Sequence, residues 1–136
     1  MPRTKFRVEV LTPEGEVFND EVEMVSTKTA VGSIGILANH EPVLAMLDPT
    51  ELRLYKTESE VVRFAQAEGY MQMADNHVLI LVEEATAPGD LDAGALRERL
   101  QQADHEFESA GEDTEKRRVA ERDKARLEQF LKIAQG

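Results

Sequence analysis

The periodicity of this chain changes once, at Ala87-Pro88-Gly89, and that change limits what it can fold into. Before it, apolar residues recur at every second position: Phe6, Val8 and Val10 alternate with Arg7 and Glu9, Val22 and Met24 with Glu21 and Glu23, and Leu52 and Leu54 with Glu51 and Arg53. A period of two is the mark of strands buried on one face. Turn residues punctuate these runs at Pro13-Glu14-Gly15, Asp48-Pro49, Lys56-Thr57-Glu58-Ser59 and Asp75-Asn76, the last just before the continuous apolar run Val78 to Val82. Many short strands at close spacing predict an antiparallel sandwich or flattened barrel over residues 1–87.

After Gly89 there is no proline, β-branched residues are few, and Ala, Leu, Glu, Gln, Arg and Lys dominate. Leu96, Leu100, Ala103, Phe107 and Ala110 follow steps of four and three, which puts them on one stripe of a helix with Asp92 as its N-cap. Gly111 suits a left-handed end to that helix. Asp113 or Thr114 opens a second helix carrying Val119, Ala120, Leu127, Phe130, Leu131 and Ala134, with a thinner stripe around Asp123 and Lys124. The predicted fold is thus α+β: a β-sandwich, then an αα hairpin over 88–136.

Charge and composition exclude several functions. The 136 residues carry a net charge of −11, which repels phosphate backbones, so no nucleic-acid partner is expected. Seven aromatic residues without basic interleaving agree with that. With no cysteine there is no thiolate metal site or cysteine nucleophile. No apolar run approaches the roughly 20 residues of a membrane span, so no membrane crossing is expected. The charge is also uneven: residues 1–89 carry a net −8, residues 90–115 a net −7 and residues 116–136 a net +4. The basic second helix could simply pair with the acidic first one, or it could serve an outside partner.

The most distinctive stretch is Gly32-Ser33-Ile34-Gly35-Ile36-Leu37, followed by Asn39-His40-Glu41-Pro42. It lacks the spacing of a dinucleotide or phosphate-binding glycine loop. His40 and Glu41 could be read as an acid/base pair, but neighbours on extended chain point opposite ways, and only His77 and His105 accompany them, so neither a metal site nor a catalytic role is expected. Ser26, Ser33, Ser59 and Ser109 lie in no nucleophile elbow. Neighbouring acids such as Glu83-Glu84 read as solvated. Met71 and Met73, alternating with Tyr70 and Gln72, are either one buried strand face or an adaptable surface for a partner.

Together these residues resemble the epsilon subunit of rotary ATP synthases. The stretch from Gly32 to Leu44 resembles the family signature G-x-[IL]-G-[IL]-L-x-x-H-x-P-[LV]-L, and order, length and charge asymmetry agree with it along the whole chain. The resemblance implies a non-catalytic rotor subunit at the foot of the central stalk of a proton-translocating ATP synthase. It would lie peripherally on the cytoplasmic face of a bacterial plasma membrane, its sandwich between the gamma subunit and the ring of c subunits. Ser33, Ile34, Gly35, Ile36, Leu37, His40, Glu41 and Pro42 match the family's ring-facing loop. Lys116, Arg117, Arg118, Arg122, Lys124, Arg126 and Lys132 match the helix that meets an acidic segment of the catalytic beta subunit and inhibits ATP hydrolysis.

The resemblance also implies where this chain departs. Relatives that bind ATP carry [IL]-D-x-x-R-A at the start of the first helix, whereas this chain reads Leu91-Asp92-Ala93-Gly94-Ala95-Leu96. Ala95 stands in place of the arginine, and Asp92 is explained by helix capping alone. No cofactor is expected, and ATP as a regulatory ligand is disfavoured; a nucleotide-sensing module whose hairpin closes on ATP is the alternative reading. An independent hydrolase lacks a nucleophile. Glu68-Gly69 stands where the family often has two glycines.

Overall fold

The structure, a computed structural model, describes residues 3–136. Contacts divide it after Ala87 into two units, a sheet and a pair of helices. In the first unit the strands are β1 (Phe6–Thr12), β2 (Gly15–Val22), β3 (Met24–Thr29), β4 (Gly32–Leu37), β5 (Val43–Leu47), β6 (Thr50–Tyr55), β7 (Val61–Gln66), β8 (Gly69–Ala74), β9 (His77–Val82) and β10 (Ala85–Thr86). One group of neighbours runs β10-β7-β6-β3 with β4 on β3, the other β5-β8-β9-β1-β2, and the two are joined where Thr29 of β3 pairs with Leu47 of β5. Inward side chains from both groups, among them Phe6, Val8, Val10, Val25, Ile36, Leu52, Leu54, Met71, Met73, Val78 and Ile80, merge into one buried cluster. That shared core makes the folded sheet a β-sandwich.

Among the described residues β1 and β9 are parallel neighbours, while the other strand pairs are antiparallel. A hairpin turn cannot join parallel strands, so the chain lays down β2 to β8 before β9 returns beside β1. The tight β8–β9 turn is Asp75-Asn76, both residues with positive φ (52° and 58°), as a two-residue hairpin turn requires.

Two local expectations change. Val22 and Met24 do not share a strand: β2 pairs with β1 and β3 with β6, so the chain switches sheets between them. Glu23 is the buried corner, and its N–H donates to the Tyr55 carbonyl at 2.7 Å. Gly32 to Leu37 is not a loop but strand β4, paired along its whole length with β3.

The second unit opens with a short 3-10 turn at Pro88–Asp90 and continues as α1 (Ala93–Ser109) and α2 (Thr114–Gln135). Asp92 caps α1 by accepting from the Ala95 N–H at 3.1 Å, and Asp113 rather than Thr114 caps α2, accepting from the Lys116 N–H. Gly111, with φ of 57°, takes the left-handed position just past α1. Leu96 and Ala103 of α1 and Ala120, Leu127 and Phe130 of α2 are buried.

Candidate functional site

Three places stand out, two of which carry residues singled out in the sequence. The first is β4 with the turn that follows it. Because successive side chains on a strand point to opposite faces, Ser33, Gly35 and Leu37 are exposed while Ile34 and Ile36 turn inward. Ile36 is fully buried in the core and is therefore a packing residue. His40, Glu41 and Pro42 are exposed beyond the far end of β4. Ser33 and Leu37 are separated by four strand steps, on the order of 13 Å, so Ser33 belongs to one end of the sandwich and His40 to Pro42 to the other.

Each end has its own architecture. Near Ser33 is the β3–β4 tip, where Val31 is 99 % exposed and Thr29 Oγ1 accepts from the Val31 N–H. Near His40, Asn39 takes positive φ and pairs reciprocally with Asn76: the Asn39 N–H donates to Asn76 Oδ1 at 2.6 Å, and Asn76 Nδ2 donates to Asn39 Oδ1 at 3.0 Å. The His40 ring lies 2.7 Å from the Glu41 carbonyl through Nδ1. That contact orients the ring on its own turn.

The second place was not assigned from sequence. On the outer face of β5, β8, β9 and β1, register places Met46 beside Tyr70, Tyr70 beside Leu81 and Leu81 beside Leu11; the next row is Leu44, Gln72, Leu79 and Glu9. Leu44 is 74 %, Met46 61 %, Tyr70 54 % and Leu81 44 % exposed. A contiguous apolar strip centred on a tyrosine, with Gln72, Glu9 and His77 at its margin, has the make-up of a protein docking surface. His77 Nε2 and Glu9 Oε1 are 3.1 Å apart at that margin. Met71 and Met73 are buried beneath the strip, so the adaptable surface considered for them falls to their outward neighbours. The available signal was the apolar run Val43 to Leu47, too continuous for a strand with one wet face.

The third place is the basic helix α2. Lys116, Arg117, Arg118, Arg122 and Lys132 are exposed, and Lys124 and Arg126 are half-buried. Several are engaged within the hairpin. Arg118 makes two hydrogen bonds to Glu115, an interaction that lowers the Glu115 carboxyl pKa and raises that of the guanidinium. Lys124 Nζ is 2.8 Å from Asp104 Oδ1 of α1, which pushes the ammonium pKa up. Arg117 and Lys124 also lie 4.9 and 5.1 Å from the centroid of the Phe107 ring.

At the start of α1 the Asp92 carboxylate is occupied by its capping bond, and Ala95 presents only a methyl group at an exposed position. Among the described residues no three His, Asp or Glu side chains come together as a metal set, and no helix is long and apolar enough to cross a membrane.

Residues 5–88 match the family described as ATP synthase, Delta/Epsilon chain, beta-sandwich domain. The chain is 30 % identical over 129 residues to the ATP synthase epsilon chain of Sulfurihydrogenibium sp. (strain YO3AOP1), spanning 95 % of this chain and 96 % of that one. It is 35 % identical over 130 residues to the ATP synthase epsilon chain of Persephonella marina, with the same coverage of 95 % and 96 %. Among solved structures, its fold is similar to a chain in the mitochondrial ATP synthase OSCP/F1/c-ring of Euglena gracilis, with a TM-score of 0.79 and 21 % identity over 97 % of this chain and 82 % of that one. It is also similar to a chain in the central stalk/c-ring of Tetrahymena thermophila mitochondrial ATP synthase, with a TM-score of 0.62 and 22 % identity over 98 % and 99 %.

Proposed function

This chain belongs to the family of ATP synthase epsilon chains, and on that premise we propose that it is a rotor subunit whose sandwich couples the c-ring to gamma and whose hairpin restrains ATP hydrolysis. The observation that carries the coupling half is the outward strip of Leu44, Met46, Tyr70 and Leu81 on a sheet whose other face is already filled by the core. Large apolar side chains exposed side by side are unfavourable in a free chain and favourable under a partner. The strip takes gamma. The ring is met by a sandwich end, and Val31 and Ser33 at the β3–β4 tip lie at the opposite end from His40 to Pro42, so only one of these groups faces the ring directly. The fully exposed apolar Val31 favours the tip. Torque passed between two partners needs a stiff body, and a sandwich closed around one core is stiff.

The restraining half rests on α2, whose Lys116, Arg117, Arg118, Arg122, Lys124, Arg126 and Lys132 would meet an acidic segment of beta. The chain acts in this reading as a subunit without catalytic residues of its own, on the cytoplasmic side of a proton-translocating enzyme. Nucleotide sensing is disfavoured because Asp92 caps α1 and Ala95 offers no cation to phosphate; calorimetric titration of the chain with ATP is expected to give no submillimolar binding.

The test of the coupling half is Tyr70→Glu. Its side chain points away from the core, so far-ultraviolet circular dichroism and the melting temperature should stay close to those of the parent. Binding to gamma should weaken about thirtyfold, the effect of losing one central anchor. Parent-like affinity in a folded variant would remove this face from the interface.

A further inference from the structure

The two helices of the hairpin hold each other unevenly. Leu96 in the first turn of α1 and Leu127 and Phe130 in the second half of α2 are the large buried side chains. Towards the Ala110–Asp113 turn, the buried residues are only Ala103 and Ala120, and Phe107 and Val119 are half-buried. In that region of small apolar contacts, Phe107 has Arg117 at 4.9 Å and Lys124 at 5.1 Å from its ring centroid, and Lys124 reaches Asp104, one turn before Phe107, at 2.8 Å. Arg117 is fixed further by donating to the Gly111 carbonyl at 3.2 Å. An aromatic ring attracts cations at its face, and the attraction weakens with salt where water reaches the pair.

We propose that Phe107, Arg117, Lys124 and Asp104 form an electrostatic clasp that closes the turn-proximal half of the hairpin and withholds two cations of α2 from acidic partners. The proposal deepens the reading of α2 as a basic brake and rests on it for the identity of the partner, an acidic polypeptide segment. The clasp itself rests on the hairpin alone. Closure and outside binding compete for the same two side chains, so an acidic partner must open the clasp, and a substitution that weakens the clasp without touching those cations favours the partner. The groups acting on Lys124 and Arg117 from both helices are Asp104, Phe107, Glu121, Glu128 and the Gly111 carbonyl. The clasp is built from opposite charges and a cation–ring contact that water reaches, so it responds to ionic strength.

The absence of cysteine allows a direct test on the full chain. Spin labels at Gln101→Cys and Ala125→Cys, both exposed and neither a member of the clasp, report interhelical distances by pulsed electron resonance. Phe107→Leu keeps apolar volume and removes the ring face; Phe107→Tyr keeps both. In the parent the open population is expected to rise between about 20 mM and 500 mM salt as the Debye length shortens. At low salt, Phe107→Leu should raise it about tenfold, as loss of two cation–ring contacts implies, and Phe107→Tyr should match the parent. A Phe107→Leu hairpin as closed as the parent, or equal opening by the Leu and Tyr variants, would overturn the clasp. If the clasp behaves as stated while Phe107→Leu leaves inhibition of the assembled enzyme unchanged, the brake reading fails and the clasp stands.

Discussion

Gly69 opens β8 so close to β9 that a Cβ there would lie 2.0 Å from the Leu81 carbonyl oxygen and 2.7 Å from Val82 Cα. The obstacle is backbone, so no side-chain rotation relieves it, and the neighbouring Tyr70–Leu81 pair of the docking strip would be pushed apart with it. Gly69→Ala should destabilise the sandwich by about 2 kcal/mol or more, the upper part of the overpacking range; a urea midpoint within error of the parent would contradict this close approach. Glu68 before it has no positive φ, so a glutamate is accepted there without backbone strain. Glu51 offers a residue-scale test by pH. Arg63 and then Arg53 hydrogen-bond its carboxylate and hold its pKa below the ordinary value of 4.5, against opposing desolvation. Because the folded pKa is the lower one, the stabilisation is complete well above pH 4.5 and is lost as pH falls through the folded value. Glu51→Gln should cost about 0.5–1 kcal/mol at pH 7, a modest value because both arginines are half exposed, and the difference should shrink below pH 4.5 in urea titrations repeated at several pH values.

At the scale of elements, a buried polar relay ties strands that hydrophobic packing alone would leave free to slide. Thr27 of β3 donates through Oγ1 to Gln66 Oε1 of β7 at 2.7 Å, and Gln66 Nε2 donates to the Asp48 carbonyl at 2.9 Å, between β5 and β6. Thr27→Val keeps the shape and leaves Gln66 Oε1 buried without a donor, so it should cost about 1–3 kcal/mol in chemical denaturation; a neutral effect would mean that water reaches the amide. No sequence pattern announces this relay, because its partners are 39 residues apart. The elements that were legible share the opposite property: their signals are local. The stripe from Leu96 to Ala110, the Asp92 cap and Gly111 each depend on residues within a few turns, and all three are where the spacing puts them. Alternation around Val22 and Met24 is equally clear, yet it cannot tell a single strand from two strands meeting at a corner, since the Glu23 corner is set by the Tyr55 carbonyl of another strand. The signature from Ser33 to Pro42 was legible as a unit of sequence and not as a unit of space, because β4 spreads it between two ends of the sandwich. The strip around Tyr70 was missed because β5 and the β8–β9 hairpin, remote from each other in sequence, supply it, and only their register shows that Leu44, Met46, Tyr70 and Leu81 adjoin.

For the whole molecule, the decisive property is that the sandwich core draws on residues between Phe6 and Ala85, so the hairpin can be removed without opening it. A chain stopped at Pro88 should therefore fold, unfold cooperatively and still bind gamma through the Tyr70 strip. That makes truncation a clean probe of the brake, since lost inhibition would not arise from lost assembly. In the reconstituted catalytic head with gamma, the full chain should depress ATP hydrolysis, and the chain stopped at Pro88 should relieve it. Changing Arg117, Arg118 and Arg122 to Ala should give the same relief, measured at saturating subunit. It removes three charges from the segment 116–136, whose net charge is +4, and leaves the α1–α2 seam of Leu96, Ala103, Ala120, Leu127 and Phe130 in place. Charge on an exposed helix acts through screened attraction, so the inhibition should also fade as salt rises towards 0.5 M while gamma binding, carried by apolar contact, persists. Relief on truncation but not in the triple variant would assign the brake to the bulk of the hairpin rather than its charge. Equal hydrolysis with all three chains, gamma binding being intact, would leave a coupling subunit whose helices serve another end.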